Sequence, residues 1–588
     1  MYRTHNCNEL NSLNVGDKVV LSGWVNKRRD FGAMIFIDLR DRYGLTQIVS
    51  DPQNFKEAHN LLNTVRSEYV LKIEGVVRNR PNGQSNSDLY TGEIEVLVEK
   101  VVILNQSLVP PFDIDKNQEV SEDIRLKYRY LDLRRSRMRD NIILRHDMIK
   151  YIRDIFCDSG FLEIETPILI KGTPEGSREY LVPSRLHAGN FYVLPQSPQQ
   201  LKQLLMVSGF DKYFQIARCF RDEDQRGDRQ PEFTQMDLEM SFVEQEDVMK
   251  VNEKALIKLT EKFAPDKKML KIPFPVFTYK EAMNTYGSDK PDIRFDLHLS
   301  DVSELVKNSE FSVFSNAVKN GGVVKALRVE NGATFTRKDI DELENLAKTY
   351  GARGLAYLSK INGEYKSSIV KFFKETELDL IFVSVSAKDG DIVFFTADNF
   401  VTACEALGNV RLKLAEKLDL IDNSLFAYLW VIDFPMFERD KETGELNAMH
   451  HPFTLPQNPE QILVNPENVI AYAYDIILNG NEVGGGSIRI HDRKIQKLIF
   501  DTLGLSEEDT QRRFGHILEA FSYGVPPHGG IAWGLDRLVM LFAGEANIRE
   551  VMPFPKDQKA RDLMLNAPSH MPDAQLSELH IALKLDEK

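Results

Sequence analysis

Short apolar runs separated by polar turns dominate the first hundred residues, and this pattern predicts β-strands. Strands are predicted over residues 19–25, 34–40, 45–49, 69–77 and 93–98, with a helix over residues 54–65. The helix falls between the third and fourth strands, which is the order of a small five-stranded barrel of the OB type. Barrels of this kind commonly present aromatic and basic side chains to unstacked nucleic-acid bases.

A second alternating pattern lies in residues 213–242, where two strands flank a loop crowded with charges. Along the second strand the period of two predicts one buried apolar face and one open polar face. The apolar set is Met236, Leu238, Met240 and Phe242, and the polar set is Gln235, Asp237, Glu239 and Ser241. The loop carries Arg221, Glu223, Arg226, Arg229 and Gln230, more charge than a hairpin turn needs. It would suit a polyanion with a polar body, such as a nucleotide, although a solvated charged hairpin is the alternative.

The rest of the chain divides by pattern into helical, mixed and glycine-rich stretches. Residues 136–157 have apolar positions at helical spacing, and residues 161–167 predict a strand ended by Pro167. Residues 286–415 have strands and helices of their own, without a phosphate-binding loop or a metal-spaced cluster, and are predicted to be an insertion. We therefore predict six segments, at residues 1–108, 109–135, 136–285, 286–415, 416–560 and 561–588.

Composition narrows the class of protein. The 588 residues are 42% hydrophobic and 28% charged, as in ordinary globular proteins, and three or four domains are expected. The four scattered cysteines, the polar N-terminus and the lack of a long apolar run predict a cytoplasmic protein without a membrane span. A net charge of −14 disfavours general nucleic-acid affinity, but residues 125–139 hold seven basic residues against one acidic. This basic stripe could bind phosphates, or it could be a solvated helix face.

Two further stretches carry candidate chemistry near the C-terminus. Residues 529–542 predict a short strand followed by a helix, with Arg537 in the first helical turn, where the helix dipole already favours anions. A guanidinium there would add bidentate phosphate contacts. Asp475 and Glu482 flank a turn before three consecutive glycines, and such carboxylates are the hard oxygen ligands of Mg²⁺. Taken alone, this acidic pair is more simply explained as a surface turn.

These stretches resemble known motifs when they are taken together. Residues 161–167, 220–232 and 534–537 are similar to motifs 1, 2 and 3 of the class II aminoacyl-tRNA synthetases. The phrases at residues 173–178, 196–199, 221–224 and 230–235 extend the resemblance, along nearly the whole chain, to the bacterial aspartyl-tRNA synthetases. The resemblance implies an α+β protein with an N-terminal OB-fold anticodon-binding barrel and an antiparallel-sheet catalytic domain. It also implies an inserted α+β domain of the GAD type and a homodimer.

The resemblance also implies a role for individual residues. In such enzymes aspartate reacts with ATP to give aspartyl-adenylate, and the aspartyl group then passes to the 3′-terminal adenosine of tRNA-Asp. Arg221 and Arg537 would be catalytic, and Asp475 and Glu482 would hold Mg²⁺. ATP would contact Arg221, Asp222, Glu223, Gln230, Phe233, Glu482, Gly534, Leu535, Asp536 and Arg537. Aspartate would contact Glu175, Ser197, Gln199, Lys202, Arg221, Asp237, His450 and Arg489. The anticodon would contact Arg28, Phe36, Gln47 and Glu93.

Several alternatives stay open at this stage. Asparaginyl- and lysyl-tRNA synthetases share the barrel and the motifs, but the cationic pair Lys202 and Arg489 favours a substrate with a carboxylate side chain. An inactive RNA-binding paralogue is disfavoured because the motif arginines and metal carboxylates are all present. His451 could replace His450 in the substrate contact. Phe31 matches neither specificity pattern, but the absence of a lysine at residues 81–86 raises the hypothesis that tRNA-Asn is charged as well.

Overall fold

The N-terminal strands close into a barrel in this computed structural model, which describes residues 1–115, 118–172, 177–225, 227–440 and 443–584. The barrel elements are Lys18–Asp30 (β1), Ile35–Arg40 (β2), Leu45–Val49 (β3), Lys56–Thr64 (α1), Val70–Asn79 (β4) and Ile94–Asn105 (β5). The strand order is β1-β2-β3-β5-β4, with α1 between β3 and β4 in sequence. Alternate side chains such as Leu21, Ile37 and Ile73 fill its core. The predicted barrel is therefore confirmed.

The basic stripe at residues 125–139 belongs to the same compact unit as the barrel, which comprises residues 1–145 and 549–570. Its short helices are Glu122–Lys127 (α2) and Arg129–Asp132 (α3). Arg125 and Arg129 both pair with the buried Asp132, at 3.0 and 2.7 Å. Arg125 also pairs with Glu550 at 2.6 Å, and Arg129 donates to the Met552 carbonyl at 2.8 Å. These two arginines therefore anchor the segment near residue 550 rather than forming a solvated helix face.

The second unit comprises residues 146–548 and 571–588 and begins within a long helix. Its first helices are Ser136–Asp158 (α4), Gln199–Val207 (α5), Gln245–Phe263 (α6) and Tyr279–Tyr286 (α7). Its first strands are Leu162–Glu163 (β6), Leu181–Pro183 (β7), Phe191–Val193 (β8), Lys212–Phe220 (β9), Glu232–Ser241 (β10), Lys268–Met269 (β11) and Val276–Thr278 (β12). The strand predicted over residues 161–167 is thus reduced to two residues, because only Leu162 and Glu163 pair with β9.

A separate five-stranded sheet lies within the predicted insertion. Its strands are Leu299–Asp301 (β13), Val323–Val329 (β14), Ala356–Ile361 (β15), Glu364–Lys366 (β16) and Ile392–Asp398 (β17). Its helices are Ser303–Val306 (α8), Ser312–Lys319 (α9), Arg337–Thr349 (α10), Glu375–Ser384 (α11) and Phe400–Lys417 (α12). The strand order is β13-β14-β17-β15-β16. Apolar side chains form one core with α10 and α12 and another with α8, α9 and α11, so that helices cover the sheet.

The remaining strands complete the sheet that carries the candidate site. They are Leu425–Phe426 (β18), Tyr428–Ile432 (β19), Phe437–Arg439 (β20), Leu446–Ala448 (β21), Ala473–Leu478 (β22), Asn481–Ile488 (β23) and His528–Gly534 (β24). The helices are Arg493–Thr502 (α13), Glu507–Phe521 (α14), Leu535–Phe542 (α15) and Asp573–Glu578 (α16). Eight strands form one largely antiparallel sheet in the order β12-β19-β22-β23-β24-β10-β9-β6. In the part of the chain that the structure describes, no helix is both long and apolar enough to cross a membrane.

Candidate active site

Four buried charges meet on one face of the eight-stranded sheet. Lys202 projects from α5, Asp237 and Glu239 from β10, and Arg489 from the residue after β23. The Lys202 ammonium lies 2.7 Å from Asp237 and 3.2 Å from Glu239, and each of the three side chains is at most 2% exposed. The Arg489 guanidinium donates to both oxygens of Glu239, at 2.8 and 3.1 Å. Two cations thus lie against two carboxylates, and Glu239 bridges the cations.

The polar face of β10 is therefore buried, and the prediction of an open polar face is wrong. Strand periodicity correctly placed Asp237 and Glu239 on one side, but α5 and Arg489 cover that side. Ion pairing makes this burial tolerable, because a buried carboxylate without a partner is strongly destabilising. Phe242, assigned from the sequence to the buried face, is 72% exposed because it lies just beyond the end of the strand.

The two carboxylates of this cluster differ in their electrostatics. Burial disfavours the charged form of Glu239, but Arg489 and Lys202 outweigh burial and lower its pKa to about 2. Burial dominates at Asp237, whose pKa is raised although Lys202 opposes the shift. One oxygen of Asp237, Oδ2, is buried and accepts no hydrogen bond within the described residues, and the same is true of the donor Nε2 of Gln199. Unpaired buried polar atoms are rare, and here they suit an ammonium and a carboxylate supplied by a ligand.

A cavity of about 390 Å³ opens over this cluster. Most of the residues predicted to contact aspartate line it, namely Ser197, Gln199, Lys202, Arg221, Asp237, His450 and Arg489. Glu175, the remaining predicted contact, lies outside the described residues. The structure therefore brings seven residues from distant parts of the chain to one amino-acid-sized space.

A second cavity, of about 220 Å³, lies beside the hairpin of β9 and β10. Its lining includes eight of the ten predicted ATP contacts, which are Arg221, Glu223, Gln230, Phe233, Glu482, Gly534, Asp536 and Arg537. Asp222 and Leu535 are not in the lining that the structure describes. Asp222 is exposed, and Leu535 is fully buried beneath the site. Asp536 accepts a hydrogen bond from the Thr234 backbone at 2.7 Å, which ties α15 to β10.

Two arginines line the second cavity and differ in their hydrogen-bond and ion-pair partners. The Arg221 guanidinium lies 5.1 Å from the centre of the Phe233 ring, and its buried Nε has no hydrogen-bond partner. Arg537 lies in the first turn of α15, donates to the Glu482 carbonyl at 2.5 Å and pairs with Asp228 at 3.0 Å. Arg221 also lines the first cavity, so this guanidinium lies where the two cavities meet. A phosphoryl group between the cavities would meet a cation whose donors are available.

Asp475 on β22 and Glu482 on β23 lie near each other beside the first cavity. Burial and the Glu482 charge raise the pKa of Asp475 to about 6, even though a hydrogen bond from His450 opposes the shift. A Cβ at residue 485 would lie 2.8 Å from the Asp475 carboxylate, so Gly485 leaves this oxygen accessible. Among the described residues, no lysine or arginine forms an ion pair with either carboxylate. Hard oxygen donors in excess of positive charge fit a divalent cation.

The two neighbouring histidines have different partners. His451 Nε2 lies 2.6 Å from a terminal nitrogen of Arg489, and burial and the Arg489 charge lower its pKa well below the usual value. His451 is therefore neutral and accepts from the guanidinium. His450 Nε2 lies 3.7 Å from Asp475, and its ring packs edge-on against Phe434. Burial opposes the charged form of His450, but Asp475 outweighs burial and raises its pKa. Both histidines line the first cavity, His451 at the cationic end and His450 at the carboxylate end.

The barrel carries a separate polar surface around Phe36. Phe36 on β2 pairs with Arg29 on β1, and Arg29 forms a bidentate ion pair with Asp38 and a 3.1 Å hydrogen bond to Gln47. Gln47 donates in turn to Glu95 at 2.7 Å.

Arg28 does not join this face. It pairs with the core residue Ile37, and its guanidinium contacts Asn63 of α1 at 2.7 Å. Glu93 is exposed and lies two residues before Glu95, just ahead of β5. The structure thus places Arg29, rather than the predicted Arg28, beside Phe36 and Gln47.

Sequence reasoning missed Glu239 and Arg29 as site residues. Glu239 was visible as part of an alternating strand, but only its contact with two cations reveals its importance. Arg29 was hidden by a register shift in β1 between Val25 and Lys27, which changes which side chains face outward.

Comparisons with known proteins agree with this architecture. Residues 121–558 match the family model for class II tRNA synthetases (D, K and N), and residues 19–104 match that for an OB-fold nucleic acid binding domain. The aspartate–tRNA ligase of Bacillus licheniformis is 52% identical over 586 residues, covering 99% of each chain. The aspartate–tRNA(Asp/Asn) ligase of Bacillus subtilis is 53% identical with the same coverage. The solved asparaginyl-tRNA synthetase of Pyrococcus horikoshii shares the fold, with a TM-score of 0.59, 20% identity and coverage of 94% of this chain and 98% of that one.

The chain belongs to the class II tRNA synthetases and, within them, to the family of the bacterial aspartate–tRNA ligases. It is accordingly an aminoacyl-tRNA ligase, an enzyme that joins an amino acid to tRNA. The resemblance seen in the sequence and the expected α+β architecture with its OB-fold barrel are confirmed.

Proposed function

We propose that the chain activates L-aspartate with ATP, releasing pyrophosphate, and transfers the aspartyl group to the 3′-terminal adenosine of tRNA-Asp. The observation that carries this proposal is the charge balance of the buried cluster. Lys202 and Arg489 balance Asp237 and Glu239, so the α-ammonium of a bound amino acid adds one positive charge, which the side-chain carboxylate of aspartate would neutralise. Asp237, with its unpartnered oxygen, would then accept from the α-ammonium group. An amino acid with an acidic side chain therefore balances the charges of this site.

Asparagine and lysine fit this cluster less well. Asparagine would bring the same α-ammonium without a side-chain carboxylate and would leave one positive charge uncompensated in a buried site, which is strongly unfavourable. A lysine substrate would add a third cation. We therefore favour aspartate, although the matching family model also covers enzymes for lysine and asparagine.

ATP would occupy the second cavity, with its adenine on Phe233 and its α-phosphate at Arg221. Arg221 lies between the two cavities, so one guanidinium can contact the α-phosphate and the attacking carboxylate of aspartate. The substrate carboxylate is itself the nucleophile, and attack on the α-phosphate expels pyrophosphate. The protein would act by positioning and by stabilising negative charge, with Arg537 at the outer phosphates.

Mg²⁺ would be held by Asp475 and Glu482, whose excess negative charge fits a divalent cation. When bound, the ion neutralises charge on the phosphates. The side chains themselves orient these oxygens from two adjacent strands of a rigid sheet. Removal of divalent cations with EDTA should abolish ATP–pyrophosphate exchange, and added Mg²⁺ should restore it.

The barrel would bind the anticodon of tRNA through Phe36, Gln47 and Glu93, with Arg29 in the place predicted for Arg28. Phe36 is half-buried and offers a face for stacking, while Arg29 and Gln47 offer polar groups beside it. The absence of a lysine at residues 81–86 still motivates the hypothesis that tRNA-Asn is also charged. Charging of purified tRNA-Asn tests it, and complete failure would reject it.

A homodimer is also proposed, with motif 1 at the interface. Apolar side chains in and after this motif are strongly exposed in the single chain, among them Leu162 (54%), Leu169 (52%) and Leu181 (61%). Exposed apolar patches of this kind mark interaction surfaces. Sedimentation of the purified chain should give twice its mass. We also propose a cytoplasmic location, where an aminoacyl-tRNA ligase would meet tRNA used in translation.

The decisive experiment compares amino acids in ATP–pyrophosphate exchange. Aspartate should support exchange, whereas asparagine and lysine should support none above background. Exchange driven by asparagine or lysine instead of aspartate would contradict the proposed substrate.

A further inference from the structure

Residues 287–292 lead from α7 into the inserted sheet, and this segment borders the first cavity. Asp289 lines that cavity together with Asp475 and Glu482. Its side chain is half-buried, and within the described part of the chain its carboxylate forms no ion pair or hydrogen bond. A carboxylate from the insertion therefore reaches the candidate active site without a protein partner.

Asp289 lies at the end of the cavity where Asp475 and Glu482 would hold the metal ion. Burial and the Asp289 charge raise the pKa of Tyr279 to about 12, and the Tyr279 ring packs against Phe434 beside His450. Asp289 lies close enough to Asp475 for the two negative charges to repel, and both side chains line the same cavity. The charges at the other end of the cavity are balanced, but this end holds three carboxylates. Among the residues that the structure describes, none of the three pairs with a lysine or an arginine.

One helix of the insertion holds the segment that carries Asp289. Gly287 has a φ of 70°, and its carbonyl would lie 2.4 Å from a Cβ at Gly408 of α12. At the other end, the buried Arg411 of α12 donates to the Asp292 carbonyl at 2.8 Å and to the Leu297 carbonyl at 2.5 Å. Both ends of the segment are therefore fixed against α12, so the position of Asp289 depends on the inserted domain.

We propose that Asp289 is a third carboxylate for the divalent cation bound by Asp475 and Glu482, acting through water in the cation's outer shell. The inserted domain then contributes to catalysis by holding this carboxylate against the metal–ATP site. This inference rests on the proposed function, because it requires a cation at Asp475 and Glu482. Outer-shell groups of this kind orient the ligands and waters of a metal and tune its affinity.

The test measures metal binding as well as activity. Mn²⁺ serves as the probe, and its binding to the full chain with a non-hydrolysable ATP analogue is followed by electron paramagnetic resonance. Asp289→Asn removes the charge at constant shape and should weaken Mn²⁺ binding about tenfold, the lower range for an outer-shell group. It should raise the Mg²⁺ concentration needed for half-maximal pyrophosphate exchange in parallel. Asp289→Glu should retain more of the affinity than Asp289→Asn.

A matched control separates this effect from a general loss of charge. Asp296→Asn makes the same change nearby in the chain, at a side chain that is 92% exposed and paired only with His298 at 3.2 Å among its ion pairs described here. It should bind Mn²⁺ as the unchanged chain does. Unaltered Mn²⁺ affinity in Asp289→Asn would overturn the inference.

Asp475→Asn separates a failure of the role proposed for Asp289 from a failure of the proposed metal site. If Asp475→Asn weakens Mn²⁺ binding and Asp289→Asn does not, only the role of Asp289 is wrong. If neither variant changes Mn²⁺ binding, the proposed metal site itself fails.

Discussion

The buried charge cluster of Lys202, Asp237, Glu239 and Arg489 and the polar surface of the barrel are both polar networks on β-sheets, but they differ in how far water reaches them. In the buried charge cluster, Lys202, Glu239 and Arg489 are at most 2% exposed and each contacts an opposite charge. On the barrel, the Arg29 side chain is 31% exposed while its partner Asp38 is 10% exposed. Breaking an ion pair that is buried away from water is costly, whereas a solvent-exposed ion pair contributes little to stability. The first region can therefore select a charge, whereas the second must rely on stacking and several modest contacts.

This difference predicts how substitutions in the two regions should rank. Substitutions in the buried charge cluster should have large effects on amino-acid activation, because water cannot enter to replace the contacts of a removed side chain. The barrel should show smaller effects that appear only when tRNA is the substrate.

Arg221→Ala should give the largest loss, because Arg221 lies where the two cavities meet and would stabilise the charge that develops on the α-phosphate. We expect ATP–pyrophosphate exchange with aspartate to fall by at least about 10²–10³-fold. Arg218→Ala, which removes an arginine paired with Glu232 on the same hairpin, is the matched control and should remain active. Near-normal exchange in Arg221→Ala would remove Arg221 from the mechanism.

Lys202→Met should damage both binding and stability. It leaves Asp237 and Glu239 with one cation fewer in a dry site, and breaking such a pair costs about 3–5 kcal/mol. We expect a lower thermal midpoint and a loss of kcat/KM for aspartate of at least about a hundredfold, since each 1.4 kcal/mol is a factor of ten. Lys212→Met, an exposed lysine on β9, is the control. Unchanged discrimination between aspartate and asparagine in a folded Lys202→Met enzyme would contradict the charge-balance argument.

Phe36→Ala should weaken aminoacylation of tRNA while sparing pyrophosphate exchange. The lost stacking is expected to amount to about 1–3 kcal/mol and to appear in the KM for tRNA. Tyr43→Ala, which removes another exposed ring of the barrel, provides the comparison. Equal losses in aminoacylation and in exchange would instead indicate that Phe36 supports the fold.

Arg29→Ala and Arg28→Ala sharpen the assignment on the barrel itself. Arg29 lies beside Phe36 and Gln47, so its removal should weaken tRNA binding by about 1–2 kcal/mol, the scale of one charged hydrogen bond. Arg28 contacts Asn63 instead, and its removal should change tRNA binding by less than about 0.5 kcal/mol. Nitrocellulose filter binding at fixed salt measures both. A larger effect at Arg28 would restore the original assignment from the sequence.

Local patterns determined the elements of this fold and several members of the site. The period-two alternation of the barrel strands and of residues 235–241 depends only on neighbouring residues, so the barrel strands and the alternation of side chains along β10 were predictable, except where a register shift interrupts β1. The motif resemblance likewise singled out Lys202, Arg221 and Arg489, which line one cavity in the structure. Such features can be predicted from short stretches of sequence, because backbone geometry repeats along a strand or a helix.

Only the tertiary structure determined which polar residues are buried together, away from water. Whether the polar face of β10 is open or buried depends on α5 and on Arg489, which lies 250 residues from Glu239 in sequence. A register shift in β1 places Arg29, rather than Arg28, beside Phe36. Contacts with α12 hold the segment that carries Asp289, which lines the same cavity as Asp475 and Glu482. Burial and pairing are set by what packs from elsewhere in the chain, and the energy of a charge depends on both. The sequence therefore determined the residues and their local order, and the packing decided which of their charges act together.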